Sequence, residues 1–383
     1  MSPPVPMVDL APGLRELRAD IDAALARVID SGLFVNGPEV RALERELAGY
    51  LGVAECVGLN SGTDALVLGL RALGVGPGHE VIVPAFSFFA SAEAVSAVGA
   101  QPVFADVDPR SFNLDPAAAA RAITRRTRAL LPVHLFGQAA AMDRLAQLAE
   151  QHGLLLLEDA AQALGGSHRG CKLGSLGHAA ALSFFPSKNL GAFGDAGVLA
   201  TNSTEVAEAC RQLRQHGSRS STGRGRHEHE RIGHNSRLDS LQAAVLRVKL
   251  PRLDRALAAR QRAAERYDAL LADLPGLVRP WRDPDAAHTF HQYTVRLPAT
   301  ERDRVAEQLA AQGIQTMVYY PTPLHRAPAY RAAHLGLELP EAEAASRCVL
   351  SLPIWPEIEP HTQRRVADAL RAALANEPAR AVS

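Results

Sequence analysis

Leu182-Ser-Phe-Phe-Pro-Ser-Lys188-Asn-Leu-Gly191 contains one of only three lysines in a chain with 41 lysine and arginine residues. Because arginine fills almost every other basic position, a lysine here indicates a need for an amine and not simply for a positive charge. A lysine amine can form a Schiff base with a carbonyl, whereas arginine stays protonated and cannot attack. Attack requires the neutral amine, so we expect burial to lower the pKa of Lys188.

Asp159 ends the apolar run Leu154-Leu-Leu-Leu-Glu158-Asp159, 29 residues before Lys188. A carboxylate in this position is costly to bury without a partner. The protonated ring nitrogen of pyridoxal 5'-phosphate (PLP) is such a partner, and PLP also needs a lysine for its Schiff base. A helix-capping aspartate is the alternative, but Gln162, one turn later, can address the ring hydroxyl. We therefore predict a PLP enzyme in which Lys188 and Asp159 are catalytic.

The composition is typical of a globular protein and excludes several other classes. Apolar residues make up 47% of the chain and the formal net charge is +0, which argues against a protein that binds nucleic acid or a membrane surface. No apolar run approaches the ~18 residues of a membrane span, and the start of the chain lacks the pattern of a secretory signal. The four isolated cysteines are typical of free thiols in a reducing compartment. We expect a cytoplasmic protein.

Short apolar strands alternate with helical stretches over the first 250 residues. The predicted strands are 55–59, 80–83, 102–105, 129–133, 154–157, 180–184 and 197–200, and the predicted helices between and after them are 64–73, 90–98, 116–123, 142–152 and 204–216. This order indicates the α/β class, with a mostly parallel sheet covered by helices on both faces. Ligands of such sheets bind at the carboxyl ends of the strands, where Asn60, Asp159 and Ser183 fall.

The length of the chain predicts two domains. We expect a large PLP-binding domain over residues 1–250 and a small α+β domain over residues 251–383. Two helices, 238–250 and 252–274, lead from one to the other. The predicted elements of the small domain are strands 292–297 and 315–320 and helices 302–312, 341–349 and 362–376.

Residues with phosphate-binding and ring-stacking potential follow the first two strands. Asn60-Ser-Gly-Thr63-Asp64 opens a helix, and its small residues could hold a phosphate, although ordinary helix capping explains them too. Pro84-Ala-Phe86-Ser-Phe88-Phe89 follows the next strand, and we select Phe88 to stack on a planar cofactor, with core packing as the alternative. Ser183 adds a hydroxyl for the phosphate.

Six stretches of the chain together resemble the DegT/DnrJ/EryC1/StrS family of PLP-dependent nucleotide-sugar aminotransferases. They are NSGTDAL (60–66), PAFSFF (84–89), EDAAQALG (158–165), SFFPSKNLGAFGDAG (183–197), IGHNSRLDSLQAA (232–244) and YYPTPLHRAPAY (319–330), in the family's order. The resemblance runs from about residue 8 to 357. It implies a type I PLP-dependent (aspartate aminotransferase-like) fold, a homodimer and active sites shared between the subunits.

The resemblance also assigns roles to individual residues. For the cofactor it implies that Gly62, Thr63 and Ser183 bind the phosphate and that Phe88 stacks on the ring. It implies that Asp159 contacts the ring nitrogen and that Gln162 contacts the 3'-hydroxyl side. It implies that Lys188 forms the Schiff base. It implies that Asn235 reaches the phosphate bound by the partner subunit. It places Arg237, Tyr320 and His325 at the substrate, where the fork of Arg237 suits a carboxylate or diphosphate.

Two features depart from the family's commonest pattern. Tyr319 stands where many members have histidine, so we assign it no substrate contact. The arginine-rich loop 218–231 is longer than expected and contains His227 and His229 as an HxH pair. We favour a solvated or substrate-covering loop over a metal site and predict no metal. A sugar-nucleotide diphosphate suits its arginines better than nucleic acid does, given the balanced net charge.

The function predicted from this resemblance is transamination of a nucleotide-linked ketosugar with L-glutamate as amino donor. SKNLGAFGDAG resembles members that act at C3, and HERIGHNSRLD resembles the branch that aminates UDP-2-acetamido-3-keto-hexuronic acids. We therefore favour a 3-keto sugar, with a 4-keto sugar as the alternative. A PLP-dependent sugar dehydratase is a second alternative, although such members replace the lysine with histidine. A non-catalytic regulatory homologue is the third, and the nucleotide stays open.

Overall fold

The computed structural model describes residues 3–219 and 224–375. Its strands in chain order are β1 (Glu55–Leu59), β2 (Glu80–Pro84), β3 (Gln101–Ala105), β4 (Thr127–Leu130), β5 (Leu155–Asp159), β6 (Ser167–His168), β7 (Cys171–Lys172), β8 (Ala179–Ser183), β9 (Gly197–Thr201), β10 (Ala286–Ala287), β11 (Tyr293–Arg296) and β12 (Val349–Leu352). Seven of them form the main sheet, in the order β1-β9-β8-β5-β4-β2-β3. Only β9 pairs antiparallel with its neighbours there. The predicted α/β class with a mostly parallel sheet is confirmed.

Helices cover this sheet and build the rest of the described chain. They are α1 (Ala11–Ser31), α2 (Pro38–Leu51), α3 (Gly62–Ala72), α4 (Ala90–Ala97), α5 (Pro116–Arg121), α6 (Met142–His152), α7 (Thr204–Leu213), α8 (Ser240–Lys249), α9 (Leu253–Leu270), α10 (Arg302–Ala311), α11 (Pro340–Cys348) and α12 (Pro360–Ala375). Within the described ranges, no helix is long and apolar enough to cross a membrane.

Alternate side chains of each strand enter different cores on the two faces of the sheet. In β2, Val81 and Val83 join the core that contains α3, α4 and α7, whereas Ile82 joins the core that contains α5 and α6. Leu157 and Leu156 of β5 divide in the same way. Burial on both faces requires apolar residues at consecutive positions. This explains why the strands appear in the sequence as continuous apolar runs.

The residues before α3 set where that helix begins. Ser61 is the N-cap, and its side-chain oxygen accepts a hydrogen bond from the Asp64 backbone N–H at 3.1 Å. The cap directs the unpaired amides of the first helical turn toward the carboxyl end of β1. Leu66, Leu68 and Leu70 of this helix are all buried in the core that it shares with the sheet, α4 and α7.

A second core, apart from the sheet, is built from residues 263–373 together with Val5. The antiparallel pair β11–β12 and helices α10 and α12 surround it. Helix α9 spans both regions, because Leu253 and Leu257 pack with the sheet's helices while Ala264 and Tyr267 pack in the second core. The domain boundary at residue 250 stays a prediction.

The predicted strand at residues 315–320 is wrong. That segment makes only an isolated bridge, between Met317 and Ser351, while β12 pairs with β11 along its length. The strand β12 directly follows helix α11, and the helix predicted at 341–349 includes only its first residue, Val349. The two-residue strands β6, β7 and β10 were not predicted, because they are too short to show a pattern. In the loop 218–231, a short 3-10 helix covers Arg224–His227, and residues 220–223 lie outside the described chain.

Candidate active site

The parallel strands bring four sequence motifs to one edge of the sheet. Strands β1, β8, β5 and β2 point the same way, because β9 is antiparallel to both β1 and β8 and the remaining pairs are parallel. Their carboxyl ends carry Asn60, Ser183, Asp159 and the segment 85–89, respectively. The edge predicted to bind a ligand therefore gathers the predicted cofactor residues.

Gly62 and Ser183 form a cradle at the start of α3. A Cβ atom on Gly62 would lie 2.7 Å from the Ser183 Cβ, and one on Gly197 would lie 2.2 Å from the Ser61 carbonyl oxygen. Only glycine lets the three segments approach this closely. The amides of the first turn of α3, at Gly62 and Thr63, have no partner inside the helix and lie beside the Ser183 hydroxyl. This arrangement suits a phosphate group.

Asp159 is a buried carboxylate, with 6% of its surface exposed. Its Oδ2 atom accepts a hydrogen bond from the Ser91 hydroxyl at 2.8 Å, and its Oδ1 atom accepts one from the Ala161 backbone N–H at 3.2 Å. Burial raises the pKa of the Asp159 carboxyl, and these hydrogen bonds and the charge of Lys188 oppose that effect. A cationic N–H group placed against Asp159 would stabilise its charged form.

Lys188 lies close enough to Asp159 for the two charges to interact. Burial lowers the pKa of Lys188 from its usual 10.5 to about 8, although the Asp159 carboxylate opposes the shift. The lowered pKa expected from the sequence is therefore present in the structure. A tight turn holds the lysine: its backbone N–H donates to the Phe185 carbonyl at 2.8 Å. A Cβ on Gly191 would lie 2.1 Å from the Pro186 carbonyl oxygen.

Lys249, another of the three lysines, supports the segment that follows Lys188. Its ammonium group donates to the Gly191 carbonyl oxygen. Burial lowers the pKa of Lys249 to about 8, and the Glu357 carboxylate opposes this. Both lysines line one cavity of about 330 Å³.

A hydrogen bond joins Gln162, which follows β5, to Tyr320, which packs against the core of the main sheet. The Gln162 Oε1 atom accepts from the Phe136 backbone N–H at 2.7 Å, and its Nε2 atom donates to the Tyr320 hydroxyl at 3.1 Å. Burial raises the pKa of that hydroxyl. The Phe88 ring lies 6.1 Å from the Tyr320 ring and is 55% exposed. Its large exposed fraction leaves Phe88 free to stack on a ligand.

His325 lies in the core beside Glu343 and Phe104. Its side chain is fully buried, its Nε2 atom lies 3.1 Å from the Glu343 carboxylate, and its ring contacts Phe104. Burial lowers the pKa of His325. The substrate contact of His325 stays a prediction.

Asn235 and Arg237 lie on a segment beside the cradle. Ser236, between them, donates from its hydroxyl to the Asn60 side-chain oxygen at 3.1 Å. Asn235 is exposed and Arg237 is partly buried. Among the described residues, neither side chain has a hydrogen bond or ion pair, so both are free to bind a ligand or another subunit.

The loop histidines form no metal centre in the described part of the chain. His229 contacts the His216 carbonyl oxygen, and His227 is exposed. Over the described residues, no three His, Cys, Asp or Glu side chains come together in a way that could hold a metal ion.

Sequence reasoning missed Ser91 and His291. Ser91 is fully buried in the first turn of α4 and binds Asp159, but nothing distinguishes it from nearby serines in the sequence. His291 lies 103 residues after Lys188, and only the tertiary fold brings it near. Its pKa is lowered well below the usual value by burial and by the charges of Lys188 and Arg260.

These features fit PLP. The cradle suits a phosphate, Phe88 a ring face, Asp159 a protonated ring nitrogen and Lys188 an aldehyde carbon. Each group sits at the same edge of the sheet, and the two ionisable ones have shifted pKa values, which is common at functional sites.

The comparison with known proteins agrees with this geometry. The model of the DegT/DnrJ/EryC1/StrS aminotransferase family matches residues 15–371. The chain is 48% identical to dTDP-3-amino-3,4,6-trideoxy-alpha-D-glucose transaminase of Streptomyces venezuelae, over 97% of this chain and 96% of the relative. It is 46% identical to the pleiotropic regulatory protein of Geobacillus stearothermophilus, over 96% and 97%. It is 41% identical to UDP-2-acetamido-2-deoxy-3-oxo-D-glucuronate aminotransferase of Pseudomonas aeruginosa, over 96% and 99%.

Solved structures share the fold over nearly the whole chain. The crystal structure of S. venezuelae DesV in complex with a ketimine intermediate superposes with a TM-score of 0.93 at 48% identity, covering 98% of this chain and 100% of DesV. The structure of NtdA from Bacillus subtilis with bound cofactor PMP gives a TM-score of 0.90 at 33% identity, covering 98% of this chain and 86% of NtdA.

The lowered pKa of Lys188 predicts how cofactor capture depends on pH. Only the neutral amine attacks, so the rate at which apo-protein captures PLP should rise as pH increases through about 8 and then level off. Stopped-flow absorbance of apo-protein mixed with PLP measures this rate, with Lys188→Ala as the control that forms no covalent complex. A rate that keeps rising up to the usual lysine pKa of 10.5 would contradict the shift.

Proposed function

The chain belongs to the DegT/DnrJ/EryC1/StrS aminotransferase family, and from this we propose that it transfers the amino group of L-glutamate to a keto carbon of a nucleotide-linked sugar. It is a PLP-dependent aminotransferase. The observation that carries the proposal is the buried pair of Asp159 and Lys188, whose pKa values are shifted in opposite directions beside the Gly62–Ser183 cradle.

We assign the cofactor's contacts to residues of the sheet edge. Gly62, Thr63 and Ser183 bind its phosphate, and Phe88 covers one face of its ring. Asp159 holds the proton of the ring nitrogen, while Ser91 and Ala161 keep the carboxylate in place. When bound, PLP acts as an electron sink for the bond that breaks at the donor's α-carbon.

Lys188 is the residue we assign to proton transfer. With a pKa of about 8, a substantial fraction of its amine is neutral near neutral pH. Its Nζ atom can then accept the proton from the donor's α-carbon and later release it. Tyr320 and Gln162, joined by a hydrogen bond, border the same space and orient the substrate.

We propose a 3-keto sugar as the amino acceptor. The stretch SKNLGAFGDAG supports this, as do the 3-amino and 3-oxo sugars named for the S. venezuelae and P. aeruginosa relatives. The finer proposal is that this sugar is a uronic acid. The free guanidinium of Arg237 supports it, because a guanidinium suits the C6 carboxylate of such a sugar. The nucleotide stays open, because the relative with higher identity acts on a dTDP sugar and the other on a UDP sugar.

The alternatives predict a different site or a different behaviour. A dehydratase of this family would carry histidine in place of Lys188. A regulatory role is favoured by the name of the G. stearothermophilus relative. Against it stands the complete set of buried polar groups, since Asp159 and Lys188 are costly to keep desolvated unless they bind a ligand.

We propose a homodimer in which Asn235 reaches the phosphate bound by the partner subunit. Several large apolar side chains are exposed in the single chain, as is usual at an interface: Ile29, Leu33, Phe34, Val35, Phe185, Phe193 and Ile232. Asn235 is exposed as well and has no side-chain partner in the described chain, which leaves it free for this role.

L-Glutamate should bleach the visible absorbance band of the PLP-loaded protein, because the amino group passes to the cofactor. Lys188→Ala should show no such change, and adding the correct ketosugar nucleotide should restore the wild-type band. The measurement is an absorbance spectrum before and after each addition. A stable band that no amino donor changes would favour dehydration or a regulatory role.

A 3-keto sugar nucleotide should be aminated with a kcat/KM well above that of the matching 4-keto compound. If the substrate is a uronic acid, Arg237→Met should raise the KM for the C6-carboxylate sugar by about 10- to 100-fold and leave the C6-alcohol analogue unaffected, because only the former loses a charge-assisted hydrogen bond. Steady-state kinetics measures both effects, with the 3-keto and 4-keto sugars each supplied as the C6-carboxylate and the C6-alcohol form. A higher kcat/KM for the 4-keto sugar would overturn the assignment of amination to C3. An equal rise in KM for both C6 forms in Arg237→Met would overturn the proposal that the substrate is a uronic acid.

Mixed dimers should test whether active sites are shared. Lys188→Ala and Asn235→Ala should each be inactive alone, whereas subunits mixed at random should recover about one quarter of wild-type turnover, because half the dimers then contain one intact site. Turnover after mixing by unfolding and refolding gives the answer. If both residues serve one subunit's own site, the mixture stays inactive.

A further inference from the structure

Glu158 and Asp159 are neighbouring carboxylates at the end of β5. Successive side chains of a strand point to opposite faces of the sheet. Asp159 therefore faces the site, whereas Glu158 faces the opposite core, where it is 0% exposed. A fully buried carboxylate needs several hydrogen bonds to be tolerated.

Four donors surround the Glu158 carboxylate. Its Oε1 atom accepts from the backbone N–H groups of Leu176 and Gly177, both at 2.7 Å. Its Oε2 atom accepts from the Gly174 N–H at 2.8 Å and lies 2.9 Å from the His134 Nε2 atom. The carboxylate thereby ties β5 to the loop that enters β8.

His134 donates its proton to Glu158 in one fixed orientation. It too is 0% exposed, and its Nδ1 atom accepts from the Ala140 backbone N–H at 3.1 Å. With Nδ1 used as an acceptor, Nε2 carries the hydrogen that faces the carboxylate. Glu158 is thus joined to the chain on the β4 side as well as on the β8 side.

The same segments hold the backbone of Asp159. The His134 N–H donates to the Asp159 carbonyl at 3.0 Å, and the Asp159 N–H donates to the Pro132 carbonyl at 2.8 Å. On the other side the Ala160 N–H donates to the Ala181 carbonyl of β8 at 2.9 Å. Glu158 therefore joins both flanks of β5 directly beside the residue that faces the site.

We propose that Glu158, through His134 and the 174–177 loop, is a positioning residue that fixes the Asp159 carboxylate against the ring nitrogen of the cofactor. The inference rests on the proposed role of Asp159. The Glu158 carboxylate contacts neither cofactor nor substrate, but it sets how closely the Asp159 carboxylate approaches the ring nitrogen. The titratable groups near Asp159 are Lys188, whose charge lowers the pKa of the Asp159 carboxyl, together with His134 and Tyr320.

Glu158→Gln tests this role. The glutamine amide replaces one carboxylate oxygen with an NH2 group. This group cannot accept hydrogen bonds, so the protein donors that face it lose their acceptor. Asp159 should then be less well placed, and the pH at which the bound cofactor's visible band changes should shift in the same direction as in Asp159→Asn, by a smaller amount. We expect kcat for the L-glutamate half-reaction to fall by about 10-fold or more, with KM nearly unchanged.

The double variant separates positioning from plain loss of stability. If Glu158 acts through Asp159, adding Glu158→Gln to Asp159→Asn should cause no further spectral shift. Glu80→Gln is the matched control, because Glu80 is 3% exposed and accepts hydrogen bonds from Thr124 and Arg126 at the opposite end of β2. It should lower the melting temperature of the apo-protein and leave the cofactor spectrum unchanged.

His134→Leu serves if Glu158→Gln does not fold, because Glu158 then keeps three backbone donors. It should shift the spectrum in the same direction. A variant that melts earlier but titrates like wild type, or a shift that adds fully to that of Asp159→Asn, would overturn the inference. If Asp159→Asn itself leaves the spectrum unchanged, the role of Asp159 and this inference fall together, while bleaching by L-glutamate still tests the aminotransferase activity separately.

Discussion

At the carboxyl edge of the sheet, Asp159 and Lys188 are both buried, and burial moves their pKa values in opposite directions. Each charge partly compensates the desolvation of the other, so the pKa of each group depends on the charge of its neighbour. Burial leaves Lys188 able to lose its proton, and it leaves the Asp159 carboxylate in need of a cationic partner such as a protonated ring nitrogen. The cradle, the aromatic cover and the Gln162–Tyr320 bridge all surround this pair. Without the parallel pairing of β5 with β8, the two groups would not meet.

The two acidic residues at the end of β5 show how one strand separates support from chemistry. The Asp159 carboxylate accepts hydrogen bonds from two protein groups and keeps capacity for a ligand, whereas the Glu158 carboxylate has four protein partners. A carboxylate saturated by protein donors has no capacity left for a substrate. A carboxylate with spare capacity beside a lysine of lowered pKa is suited to hold a cationic cofactor atom.

Patterns set by local physics were predicted well. The seven strands of the main sheet and helices such as α6 appear near the predicted positions, because continuous apolar strands and helical periodicity depend on neighbours in sequence. The strand predicted at 315–320 failed because pairing with β11 is a competition between distant segments, and β12 fits better. The contact between His325 and Glu343 could not be predicted for a related reason: the motif is local, whereas the direction of the side chain depends on the fold.

The sequence by itself determined the fold class, because strand and helix patterns are local. It also determined the cofactor and selected Lys188 and Asp159 as its candidate residues, because amine chemistry and a carboxylate after an apolar run constrain residue type directly. Only the tertiary structure decided that Ser91 holds Asp159, that Lys249 holds Gly191, and that Glu158 faces a cage of backbone donors. Those contacts join segments far apart in the chain, and their geometry comes from strand order and side-chain direction. Strand order and side-chain direction cannot be predicted from any local stretch of residues.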